Sequence, residues 1–91
     1  MGINFDLTDL QAFRAVVELG SFRKAADAIS ISQPALSRRI DKLEEALGVR
    51  LFERTTRSVT LTTVGRVFAP SAEQLLDDLD VTLLGIRYVS S

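Results

Sequence analysis

The chain has 91 residues, 46% hydrophobic and 25% charged, with a formal net charge of −1. This suffices for one small domain whose core stabilises it only modestly, so a long amphipathic element is expected to find a partner. There is no cysteine and no histidine, which removes a disulfide framework, a thiolate metal site and the commonest general base; no cofactor, no metal and no enzymatic activity are expected.

No basic leader precedes an apolar run, and no apolar stretch is long enough for a bilayer, so a cytoplasmic chain without a membrane partner is expected. The charge is unevenly spread. Residues 38–66 hold seven basic and four acidic side chains, a net +3, while the remainder holds four basic and eight acidic ones, a net −4. A local basic band matters more for attracting a polyanion than the total does.

In chain order, Thr8 with Gln11 has the form of a capping box, and Leu10, Phe13, Val16 and Val17 recur at helical spacing, which predicts a first helix over 9–19. Gly20 suits a left-handed stop, and Ser21 can cap a short second helix at once. That helix carries Phe22, Ala25, Ala26 and Ile29, the alanines admitting a close neighbour, and ends near Ser30. Ser32 is the next N-cap, with Pro34 in the first turn, where amide hydrogens lack an intrahelical acceptor. Leu36, Ile40, Leu43 and Leu47 form one stripe of a third helix that Gly48 ends. Gln33, Ser37, Arg38 and Asp41 or Lys42 lie off that stripe, mostly in its leading half.

After Gly48, "VRLFERTTRSVTLT" alternates apolar and polar residues, with Val49, Leu51, Val59 and Leu61 inward and a polar break at 55–58; it predicts a short β-hairpin with a basic tip. Thr62 can cap a last helix. In it Val64, Phe68, Ala72, Leu75, Leu79 and Ile86 lie near a heptad-like seam that Leu76 and Leu83 widen. Some of these must pack on the first helix, but so small a domain cannot cover that much apolar surface alone, and Phe68, Ala72, Leu75, Leu79, Leu83 and Ile86 are expected at a dimer interface. The acidic "DDLD" would lie on the wet side. A cation site at Asp77, Asp78 and Asp80 is disfavoured: they do not share a helix face, and no glycine supplies a calcium-loop turn. Pro70 is expected to kink or divide the helix near residues 68–71.

The order of elements describes a mostly helical winged helix-turn-helix, with a three-helix core and a two-stranded wing over 1–62 and a linker and dimerisation helix over 63–91. A DNA major groove admits one helix, whose leading residues reach base edges while the preceding helix braces it. Glutamine suits adenine, arginine suits guanine, and serine adapts to base or phosphate, so Gln33, Ser37 and Arg38 supply reading chemistry from one neighbourhood.

The stretch from "FRAVVELGSFRKAADAIS" through "SQPALSRRIDKLEEALG" to "LFERTTRSVTLTTVG" resembles the N-terminal DNA-binding domain of LysR-type transcriptional regulators over nearly the whole chain. Val64 departs from the alanine usual before the glycine. The resemblance implies double-stranded DNA as partner, bound at an interrupted palindrome by a dimer whose final helices pair antiparallel, with a tetramer open to a longer parent chain. It places Gln33, Pro34, Ser37 and Arg38 in the major groove and Arg57 in the minor groove. Ser21, Ser32, Arg54, Thr60 and Thr62 become candidates for phosphate, and Arg39 lies toward phosphate or solvent. A small-molecule inducer would be sensed by a further domain, not by these residues. The competing reading is a helical dimerisation module that binds protein through a winged shape without reading DNA.

Overall fold

The structure, a computed structural model, describes residues 4–54 and 59–90; Arg57, the expected minor-groove residue, lies outside the described residues. The elements run α1 (Leu7–Leu19), α2 (Phe22–Ala28), α3 (Gln33–Leu47), β1 (Phe52–Arg54), β2 (Val59–Leu61) and α4 (Thr63–Ser90). The strands pair antiparallel, with Phe52 opposite Leu61, Glu53 opposite Thr60 and Arg54 opposite Val59. The winged helix-turn-helix expected from the sequence is the fold observed.

α1 begins earlier than the Thr8–Gln11 pattern suggests, because Asp6 is the cap. Its side chain accepts the Asp9 amide at 3.2 Å, while Asp9 reaches back to the Asp6 amide at 3.0 Å, closing a reciprocal box two residues earlier. Thr8 instead donates its hydroxyl to Asp6. Lys42 of α3 then binds both carboxylates, at 3.4 Å to Asp6 and 3.2 Å to Asp9, and so ties the third helix to the start of the first.

The Asp6 carboxyl is lowered from 3.8 to about 2, chiefly by the Thr8 hydroxyl, with the Asp9 amide and Lys42 adding to it against an opposing desolvation. A carboxyl lowered by folding adds stability that is complete above its unfolded value and is lost as pH falls through its folded one. Asp6→Asn keeps a capping oxygen without the titration. Its urea midpoint, followed by circular dichroism, should therefore lie below that of the parent at pH 5 and converge with it toward pH 2; a gap undiminished at pH 2 would contradict this.

The turn between α2 and α3 is set by Ser30 in the left-handed region, at φ 59°. Its amide bonds the Asp27 carbonyl and the Ile31 amide bonds the Ala26 carbonyl, the paired closure of a Schellman motif, here with serine where glycine is usual. Ser21 and Ser32 cap α2 and α3, accepting the amides of Lys24 and Ala35 at 3.2 Å each.

The core is built from Leu10, Phe13 and Val16 of α1, the close-packed Ala25 and Ala26 of α2, and Leu36, Ile40 and Leu43 of α3. Phe13 stands at its centre, with the rings of Phe52 and Phe68 each 5.3 Å away. Two expectations change here. Val49 is 37% exposed, and the residues turned inward at the wing's base are the consecutive pair Leu51 and Phe52. Alternation fails because one buried carboxylate, that of Glu44, takes both of their amides, at 2.7 and 3.2 Å.

α4 runs unbroken through Pro70, so the division expected near residues 68–71 does not occur. Pro70 stands on the exposed side, where the Arg66 carbonyl it leaves unpaired can meet water, while Phe68 before it and Ala72 and Leu76 after it pack into the core. Ala72, expected in the dimer seam, is 1% exposed and belongs to the subunit's own core. Phe68 likewise spends its ring on Phe13. No helix among the described residues is long and apolar enough to cross a membrane.

Candidate nucleic-acid interface

α3 presents its leading half outward for a simple reason. The stripe Leu36, Ile40 and Leu43 is fully buried, so the residues on the opposite side of the helix must face solvent. Gln33, Pro34 and Arg38 are exposed and Ser37 is half-buried. Gln33, Ser37 and Arg38 make no hydrogen bond or ion pair with other described residues. Their side-chain donors and acceptors are therefore free of the other described residues, although each is held on a helix braced by α1 and α2.

The basic band is thinner than its charge count implies. Lys42 is neutralised by Asp6 and Asp9, Arg50 lies 3.8 Å from Glu44, and Arg54 is shared by Asp41 and Glu44 at 3.1 Å each. Arg38, Arg39 and Arg66 are the described cations of residues 38–66 with no carboxylate partner among the described residues, and Arg66 donates to the Leu61 carbonyl. Two further cations without such a partner, Arg23 and Lys24, sit exposed in the first turn of α2 beside the Ser21 cap. They lie outside the basic segment, and so a segment-wise charge count passes over them.

The expected phosphate residues divide into two groups. Ser21, Ser32 and Thr60 stand at or near the surface on α2, α3 and β2. Thr62 and Arg54 are used internally. The Thr62 hydroxyl donates to the Arg50 carbonyl at 2.6 Å and accepts the Gly65 amide at 3.0 Å, which locks the wing to the start of α4. Arg54 joins three elements: besides its two carboxylates on α3, its guanidinium carbon lies 5.1 Å from the ring centroid of Phe22 on α2.

Glu44 is the organising residue that the sequence reading does not single out. Its main-chain carbonyl accepts the Gly48 and Val49 amides that end α3, and its carboxylate accepts the Leu51 and Phe52 amides that begin the wing. A signal was present: Glu44 stands four residues after Ile40 and one after Leu43, a carboxylate set into the apolar stripe. A charge there is buried and partnered or it does not persist. Asp9 carries the same signal, four residues before Phe13.

On α4, Leu75, Leu83 and Ile86 are 50–60% exposed, and Leu79 between them is half-buried. These four fall at i, i+4, i+8 and i+11, an apolar stripe that continues past the last residue packed on the core. Asp77, on another face, pairs with Arg14 of α1 at 3.9 Å.

Residues 7–66 match the family of bacterial regulatory helix-turn-helix proteins, lysR family. The HTH-type transcriptional regulator YbhD of Escherichia coli K12 is 50% identical over 82 residues, covering 90% of this chain and 26% of that protein. BenM of Acinetobacter baylyi is 49% identical over 86 residues, 94% of this chain and 28% of BenM. The chain thus spans about a quarter of the length of these curated relatives. The crystal structure of the BenM DNA-binding domain with catB site 1 DNA superposes with a TM-score of 0.92 at 44% identity, over 96% of this chain and 98% of that one. The CbnR DNA-binding domain in its DNA complex gives 0.89 at 32% identity, over 96% and 100%. With the match running from Leu7 at the start of α1 to Arg66 in the first turn of α4, the chain belongs to the LysR family of bacterial helix-turn-helix regulators and carries that family's DNA-binding domain.

Proposed function

We propose that this domain reads duplex DNA as a homodimer, with α3 in the major groove, the wing at the neighbouring minor groove, and two half-sites held in an interrupted palindrome by paired α4 helices. One observation carries the reading: Gln33, Ser37 and Arg38 are fixed on the leading half of a braced helix, and their side chains bond no other described residue. The likeness to BenM and CbnR domains solved with DNA supports it. Arg23, Lys24 and Arg39, with the Ser21 and Ser32 caps, supply the phosphate side, and Arg57 the minor groove. Transcriptional control by an inducer, and a tetramer, belong to this proposal only for a longer parent chain.

Selection of binding sites from random duplexes tests the reading, with a two-fold symmetric site expected. Gln33→Ala or Arg38→Ala should then cost roughly 1–3 kcal/mol on the selected site while barely changing binding to a random duplex. Equal losses on both duplexes in a footprint titration would reject base reading.

The seam has its own test. Leu83→Asp places a charge on the exposed stripe without touching the core. It should leave a folded protein that sediments as a monomer and binds the selected site weakly. A variant that still sediments as a dimer would reject α4 pairing.

A further inference from the structure

The outward row of α3 does not end at Ser37. Gln33, Ser37 and Asp41 stand at i, i+4 and i+8, one ridge of the helix surface, so the row proposed to face DNA runs directly into an exposed carboxylate. Phosphate repels such a group, and a like charge left bare at an interface weakens association. Asp41 is not bare. Arg54 of β1 reaches its Oδ1 at 3.1 Å, and no other described residue bonds that side chain.

The same arginine also binds Glu44, but the two carboxylates depend on it unequally. Glu44 has the Leu51 and Phe52 amides and a nearby Arg50 besides; Asp41 has Arg54 alone among the described residues.

We infer that Asp41 is an affinity-limiting carboxylate on the DNA-facing ridge, and that the chief service of Arg54 to DNA binding is to neutralise it rather than to hold a phosphate. The inference rests on the DNA-binding reading and deepens it. A fixed negative charge at this place opposes every duplex equally, so it lowers overall affinity without altering base preference. Arg54 is a positioning residue in this scheme, acting on DNA through its partner.

The test is a cycle of four proteins, parent, Asp41→Asn, Arg54→Gln and the double variant, titrated against the selected duplex and a random one at two salt concentrations. Asp41→Asn should bind both duplexes roughly three- to tenfold tighter at low salt, the gain shrinking as salt rises. Arg54→Gln should bind both about tenfold more weakly, and the double variant should return to within about threefold of the parent. Thermal unfolding is recorded alongside. Arg54→Gln loses its Glu44 contact in the single and the double variant alike, so a loss of stability cannot produce the restoration.

Three outcomes overturn the inference: a double variant as weak as Arg54→Gln, which makes Arg54 a direct DNA contact; Asp41→Asn weakened only on the selected duplex, which makes Asp41 a base reader; or Asp41→Asn equal to the parent. If Arg54→Gln does not fold, Asp41→Asn alone decides. A parent that binds neither duplex defeats the DNA-binding reading itself, and the inference with it.

Discussion

Glu44→Ala is expected to lower the unfolding free energy by about 3–5 kcal/mol, a large share of what a domain of this size possesses. The residue is 6% exposed, and its carboxylate serves as acceptor for two consecutive main-chain amides and for Arg54. Alanine leaves the Leu51 and Phe52 amides buried without an acceptor and leaves Arg54 with Asp41 as its one carboxylate among the described residues. Each loss costs more than the net worth of the bond, because water cannot replace the missing partner at a buried site. Glu44→Gln separates geometry from charge. It keeps one oxygen for the amides but sets an NH2 group where donors converge, so it should fall between the parent and alanine. Urea unfolding monitored by circular dichroism gives the comparison, and a loss below 1 kcal/mol for alanine would show that the wing base is held by packing alone.

Much of the fold is legible in the residues because local and tertiary preferences agree. Gly20 and Gly48 adopt the left-handed stops expected of them, at φ 66° and 72°, and Ser21 and Ser32 cap as their positions suggest. The Leu36–Ile40–Leu43 stripe is buried as its spacing requires, and that burial is what turns Gln33 and Arg38 outward. Where the reading fails, a side chain answers to a partner distant in sequence. The Asp6 cap is reinforced by Lys42, 36 residues away. Phe52 turns inward because Glu44 holds its amide across the Gly48 stop, and no alternation rule contains that contact.

Charge shows the same limit. A count over residues 38–66 gives a net +3, but what a polyanion meets depends on which cations are already paired, and Lys42, Arg50 and Arg54 are. On α4, a heptad-like pattern cannot distinguish a residue packed on its own subunit from one left free. Ala72 and Leu83 look equivalent in the sequence, yet Ala72 packs into the core beside Leu76 while Leu83 is 50% exposed.

Gly65→Ala should destabilise the domain by about 2–3 kcal/mol, although alanine is the better helix former by about 1 kcal/mol. Gly65 is buried in the first turn of α4. A Cβ there would overlap the Leu51 carbonyl oxygen and stand 2.9 Å from Leu61 Cδ2. That carbonyl cannot swing aside cheaply, since it accepts the Thr62 amide at 3.0 Å and belongs to the same backbone that Glu44 holds. The helix must move instead, and in moving it draws Phe68 off Phe13 and Ala72 out of the core. Gly85 is the control on the same helix: nothing lies within 4 Å of a Cβ placed there, so Gly85→Ala should stabilise by up to about 1 kcal/mol through helix propensity alone. The opposite signs make the experiment decisive. Thermal melts in which both substitutions raise the midpoint would mean that α4 is not pressed against the wing at Gly65, and that the orientation of the proposed dimer arm is not set by this contact.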